Sequence, residues 1–153
     1  MNRALFLISM VLVLLSGCGS KSDAPTYKAA DQFILYSIDG RDSRFAPPAD
    51  IEAFRGIAVL GKTAIDDPKK RAELMSALYG GIDKNDDTIA DCFIPRHGIH
   101  IVQGEQIIDY LICFECLQVK IYRGDKRSSE LTSESPRKVF NQYLKDAGLP
   151  LAP

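Results

Sequence analysis

Beyond residue 15 the chain has no apolar run approaching the ~20 residues needed to cross a bilayer, so no permanent membrane span is expected. It has no excess of either charge. Lysine and arginine number 19 against 20 aspartates and glutamates, which leaves no basic footprint and no expectation of a nucleic-acid partner. Glycine-rich phosphate loops, a serine nucleophile elbow and internal repeats are all missing. Histidine is scarce, with only His97 and His100. The single C-x-x-C, Cys113 to Cys116, is followed by Leu117 where covalent haem attachment needs histidine, so that cofactor is excluded.

What is present begins at the amino terminus. Arg3 supplies a positive charge, Ala4 to Leu15 form a short apolar run, and Leu15-Ser16-Gly17-Cys18 closes it. This segment resembles the signal peptide and lipobox of bacterial lipoproteins. The resemblance implies that residues 1–17 are removed and that Cys18 becomes the new terminus, carrying diacylglycerol and an N-acyl (palmitate-type) chain. With two or more acyl chains, attachment through lipid alone is stable. Gly19 is not the Asp that favours inner-membrane retention in enterobacterial lipoproteins. The implied location in a Gram-negative cell is therefore the outer membrane, facing the periplasm, with the membrane and an envelope protein as partners. Removing residues 1–17 leaves 136 residues, enough for one domain with a single core, and losing Arg3 takes the formal charge from −1 to −2.

Residues 18–30 are small and polar around Gly-Ser-Lys-Ser-Asp-Ala-Pro-Thr and read as a lipidated cysteine followed by a flexible tether, with one domain over 31–153. Gln32 to Ile38 and Phe54 to Leu60 are strand-like, the second weakened by Gly56. Asp67 and Pro68 open a helix carrying Ala72, Met75, Leu78, Tyr79 and Ile82, with Gly80-Gly81 near its stop. Ile99 to Gln103, Gln106 to Ile112 and Leu117 to Tyr122 form a meander whose first turn is Gly104-Glu105. Gly124 to Ser133 reads as an exposed polar stretch. Ser135-Pro136 starts a last helix striped by Val139, Phe140, Tyr143, Leu144 and Ala147 and ended by Gly148 and Pro150. The expected fold is α+β: a mostly antiparallel sheet of about five strands with two helices packed on one face.

A hairpin closed at Gly104-Glu105 pairs residues whose numbers sum to 209, so His100 faces Asp109 and His97 faces Ile112. Extended past Pro95, that register returns Cys92 to the neighbourhood of Cys113 and Cys116. Three readings follow. A structural disulfide suits an exported protein, and Cys92 with Cys113 or Cys116 is the easier pair, because residues three apart in a straight strand are ~10 Å apart against a ~7 Å limit. The third cysteine is then a small buried apolar residue. A zinc or copper site from Cys92, Cys113, Cys116 and His97 is the second reading, although the pleat puts His97 and Cys113 on opposite faces. Thiol redox chemistry is the third, and it needs the C-x-x-C to open a helix, whereas residues 117–122 alternate like a strand.

His100 with Asp109 has the form of an acid–base pair, against which stands a plain polar pair on the solvent face of the hairpin. Asp83 to Thr88 resembles the opening of a calcium loop but has Thr88 at the glycine position and Ile94 at that of the bidentate glutamate. The leading expectation is a lipid-anchored envelope protein of non-enzymatic, binding or interaction type, stapled by its cysteine cluster. No catalytic residue is assigned.

Overall fold

The computed structural model describes residues 27–42 and 45–153. The leader, Cys18 and all of the tether before Tyr27 lie outside the described residues. Seven strands form one antiparallel sheet: β1 (Gln32–Asp39), β2 (Ala53–Phe54), β3 (Ile57–Ala64), β4 (His97–Gln103), β5 (Gln106–Cys113), β6 (Gln118–Arg123) and β7 (Lys126–Leu131). Their order across the sheet is β2-β3-β1-β4-β5-β6-β7. Helix α1 (Pro68–Ile82) follows β3, and α2 (Arg137–Asp146) follows β7. Among the described residues no helix is long and apolar enough to cross a membrane.

The α+β class stands, and among the described residues the strand number is seven rather than about five. The run Phe54 to Leu60 is not one strand. Arg55 and Gly56 both take positive φ, 51° and 80°, and this two-residue turn folds the run into the β2–β3 hairpin. The exposed stretch after residue 123 is likewise a strand, because Gly124 at φ 57° turns the chain into β7, which pairs with β6 from Arg123–Lys126 to Gln118–Leu131. Its side chains are mostly exposed, so no apolar alternation marks it.

Alternate residues of the central strands build two cores. Phe33, Leu35, Ile99, Ile101, Ile108, Tyr110, Ile112, Val119 and Ile121 share one cluster with Leu74, Met75 and Leu78 of α1 and Phe140 and Leu144 of α2. Each such fully buried Leu, Ile or Phe contributes about 1.5–3 kcal/mol relative to exposure. On the opposite face lies a smaller cluster of Tyr36, Ile38, Phe54, Ile57 and Leu111.

Helix α1 begins as its sequence dictates, with the Asp67 carboxylate accepting the Lys69 N–H at 2.8 Å and Pro68 in the first turn. It does not stop on a left-handed glycine. It runs to Ile82, and Gly81 instead makes room for Pro136 and Thr132, which a Cβ at that position would strike. Helix α2 does end on glycine: Gly148 has φ 69° and donates to the Lys145 carbonyl, while Leu149 donates to Leu144.

Residues just before 31 also join the core. Tyr27–Ala29 is a single 3-10 turn, with Tyr27 and Ala30 buried in the main core. The Tyr27 hydroxyl donates to that of Tyr79 at 2.7 Å, and both meet the Tyr110 hydroxyl at 3.2 Å. Burial raises the pKa of Tyr27 and of Tyr110 well above the ordinary value, so both hydroxyls stay neutral. Buried Arg71 donates to the carbonyls of Ala30 and Ile65, which fixes the start of the domain to α1.

Candidate functional site

The β4–β5 register is His97–Ile112, His100–Asp109 and Gln103–Gln106, as the Gly104-Glu105 turn requires. Beyond it the chain before β4 runs back along the β5–β6 turn. Arg96 donates its N–H to the Ile112 carbonyl, and the Gln118 amide donates to the carbonyls of Ala90 and Cys92, both at 2.9 Å. Gln118 thus acts as a clip that sequence reasoning did not single out. Its position as the first residue of β6 carries no distinguishing pattern.

This path brings the three cysteines together, with a pairing different from the one favoured by straight-strand geometry. Strand β5 ends at Cys113, and residues 114–117 form a turn in which Leu117 has φ 56°. The turn draws the Cα atoms of Cys113 and Cys116 to 5.1 Å, and their sulfurs are joined. The ~10 Å spacing that disfavoured this pair holds for extended chain only, and the turn brings the two residues inside the ~7 Å limit. Cys92 is the free thiol, and it is exposed rather than buried as a small apolar residue. It donates to Cys116 Sγ at 3.2 Å. Two backbone donors complete the cluster: Ile94 N–H reaches Cys116 Sγ at 3.2 Å, and Cys116 N–H reaches Cys113 Sγ at 3.1 Å. The turn is flanked by charge, with Glu115 paired to Arg96 and to Arg137 of α2.

His97 does not join the sulfurs. Its Nε2 is 2.7 Å from Asn141 Oδ1, and its ring packs against Phe114 and Phe140. The pairing with a carbonyl oxygen makes Nε2 the protonated nitrogen and leaves Nδ1 buried without a partner. Burial, reinforced by Arg137 and Arg96, lowers its pKa from 6.5 to about 4 against the opposing effect of the Asn141 hydrogen bond. Among the described residues no group of three or more His, Cys, Asp or Glu side chains is disposed to hold a metal.

His100 and Asp109 do pair, Nδ1 to Oδ1 at 2.6 Å, but not on an open solvent face. The β2–β3 hairpin folds back over them. Its tip residue Arg55 places Nε and Nη2 each 2.6 Å from Asp109 Oδ2, and its guanidinium lies 4.7 Å from the centre of the Tyr122 ring. Asp109 is only 5% exposed and is held by two partners, Arg55 from the hairpin tip and His100 from β4. Arg55 was invisible in the sequence as a functional or structural partner, because nothing local announces a contact 54 residues away.

The segment from Asp83 to Thr88 is a loop held by its own hydrogen bonds and by one to the chain after β7. Asp86 accepts the Thr88 N–H, and the Asn85 amide donates to the Thr88 and Thr132 carbonyls.

No family model matches the chain, and no curated protein or solved structure matches it significantly.

Proposed function

We propose that the chain is a lipid-anchored cell-envelope protein of binding or interaction type, attached through Cys18 and stapled at its β5–β6 end by the Cys113–Cys116 disulfide. The observation that carries this reading is the pairing of two sulfurs, 2% and 1% exposed, in a turn that their bond closes. A structural disulfide of this kind belongs to an oxidising compartment, which is where the lipobox would send the chain. Eight residues separate Cys18 from Tyr27. At ~3.3–3.6 Å per residue they hold the domain within roughly 30 Å of the bilayer surface. The partner on this reading is another envelope component, met close to the membrane.

The test is Cys18→Ser in cells fed labelled fatty acid. The expected result is loss of both the label and membrane fractionation, with Cys113–Cys116 still linked in peptide maps. Membrane fractionation that persists without label would reject the lipid anchor. Metal analysis of the same preparation decides against or for the competing zinc or copper site: the staple leaves Cys92 alkylatable, whereas a metal held by Cys92, Cys113, Cys116 and His97 would protect every thiol until a chelator is added.

A further inference from the structure

We propose that Cys92, Cys116 and Cys113 form a thiol–disulfide relay, in which exposed Cys92 exchanges with external thiols and disulfides and passes the oxidation state through Cys116 to the buried Cys113–Cys116 pair. The reading goes beyond an inert staple. It departs from redox chemistry at a helix terminus as well, since the C-x-x-C here opens a turn between strands.

Access comes first. Cys113 and Cys116 are almost fully buried, whereas Cys92 is exposed, so an external reagent meets Cys92 before either partner in the disulfide. Contact comes next. Cys92 Sγ stands 3.2 Å from Cys116 Sγ, inside the ~3–3.5 Å separation of a near-attack arrangement. Cys116 is thus the shared sulfur, bonded to Cys113 and touched by Cys92. Electrostatics are matched to the exchange. When Cys116 bonds to Cys92, the departing Cys113 thiolate keeps the Cys116 N–H donor at 3.1 Å, and a Cys116 thiolate in the reduced protein keeps that of Ile94 at 3.2 Å. A hydrogen bond to the charged form of a thiol favours that form and makes it a better leaving group. The Gln118 amide, bound to the carbonyls of Ala90 and Cys92, holds the entry cysteine beside the turn.

The steps balance with a disulfide as the external oxidant. In the reduced protein the Cys92 thiolate attacks a disulfide RS–SR, forming a mixed disulfide and releasing RS⁻. Cys116 thiolate then attacks Cys92 Sγ, forming Cys92–Cys116 and releasing the second RS⁻. Finally Cys113 thiolate attacks Cys116 Sγ, forming Cys113–Cys116 and returning Cys92 as thiolate. Two electrons pass from the protein to RS–SR, and one thiol remains on Cys92. Run backwards, the sequence lets an external thiol reduce a disulfide that it cannot reach directly.

The experiment is native reduction of the full-length protein by dithiothreitol, quenched in acid, alkylated and read cysteine by cysteine. The expected result is that Cys113–Cys116 in the wild type is reduced at least tenfold faster than in Cys92→Ser, and that the difference disappears in denaturant. Equal native rates would overturn the relay while leaving the staple intact. Absence of any Cys113–Cys116 link in the starting protein would overturn the relay and the staple together. A second variant, Cys113→Ser, is expected to form Cys92–Cys116 when treated with glutathione disulfide. A stable glutathione adduct on Cys92 with Cys116 left free would count against the relay.

Discussion

Phe54 lies parallel to Tyr36, their ring centroids 4.3 Å apart and their planes 9° from parallel, over the place where Gly98 has no side chain. A Cβ on Gly98 would come within 2.6 Å of the Phe54 ring, so the glycine in β4 is what lets the edge hairpin close down on the second face of the sheet. That closure carries Arg55 to Asp109 and buries the smaller cluster.

Gly98→Ala should therefore lift the hairpin and cost about 1–3 kcal/mol by overpacking. Urea denaturation measures the loss, and hydrogen exchange of the β2–β3 amides locates it. Pairing the change with Phe54→Leu is expected to recover part of the stability. An additive double mutant would show that the two residues do not share the space.

Asp109→Asn should destabilise the protein by about 1–3 kcal/mol, because it removes the carboxylate charge that faces the Arg55 guanidinium and weakens the hydrogen bond to His100 while leaving both partners in place. The loss stays below that for a fully buried pair because the Arg55 side chain is a third exposed. Exchange of the hairpin amides should rise more than that of β4 or β5, since Arg55 is the tether that lets go.

Acid should weaken the fold through His97 before most carboxylates titrate. The unfolded residue takes a proton near pH 6.5 and the folded one only near 4, so between these values the unfolded chain binds more protons. Stability is expected to be level above pH 6.5 and to fall as the pH drops from there toward 4, by on the order of 3 kcal/mol in total. His97→Gln keeps a donor for Asn141 and does not titrate, so its stability curve should be flatter over that window. An unchanged slope would place the acid sensitivity elsewhere.

The disulfide closes a very short loop, with a sequence separation of 3. Chain entropy then gives it a modest effect of about 2 kcal/mol, at the low end for native disulfides. Cys113→Ser combined with Cys116→Ser should lower urea stability by about that amount without unfolding the domain, and the two-dimensional NMR spectrum should change mainly around residues 90–96 and 113–118.

Local chemistry accounts for what was legible in the chain without coordinates. The Gly104-Glu105 turn and the apolar content of its two strands determined the β4–β5 register residue by residue, because a slip of one would send Ile99, Ile101, Ile108 and Tyr110 to the wrong face. Asp67 with Pro68, and Gly148 after α2, determined helix ends because capping is satisfied within a few residues. The proximity of Cys92 to the C-x-x-C followed from that same register. Tertiary structure decided the rest. Strand β7 has no apolar face and forms because β6 offers it an edge, so its partner rather than its composition makes it a strand. Which cysteines pair depends on a left-handed Leu117 that no propensity marks, since the turn costs local strain that the surrounding sheet overrides. His97 faces the helices because pleat alternation places it opposite Ile112, and Asn141 is there to meet it only because α2 packs on that face. Asp109 is buried because a hairpin from the far edge of the sheet folds over it, a contact whose energy lies between residues 54 positions apart and so leaves no trace in either neighbourhood of the sequence.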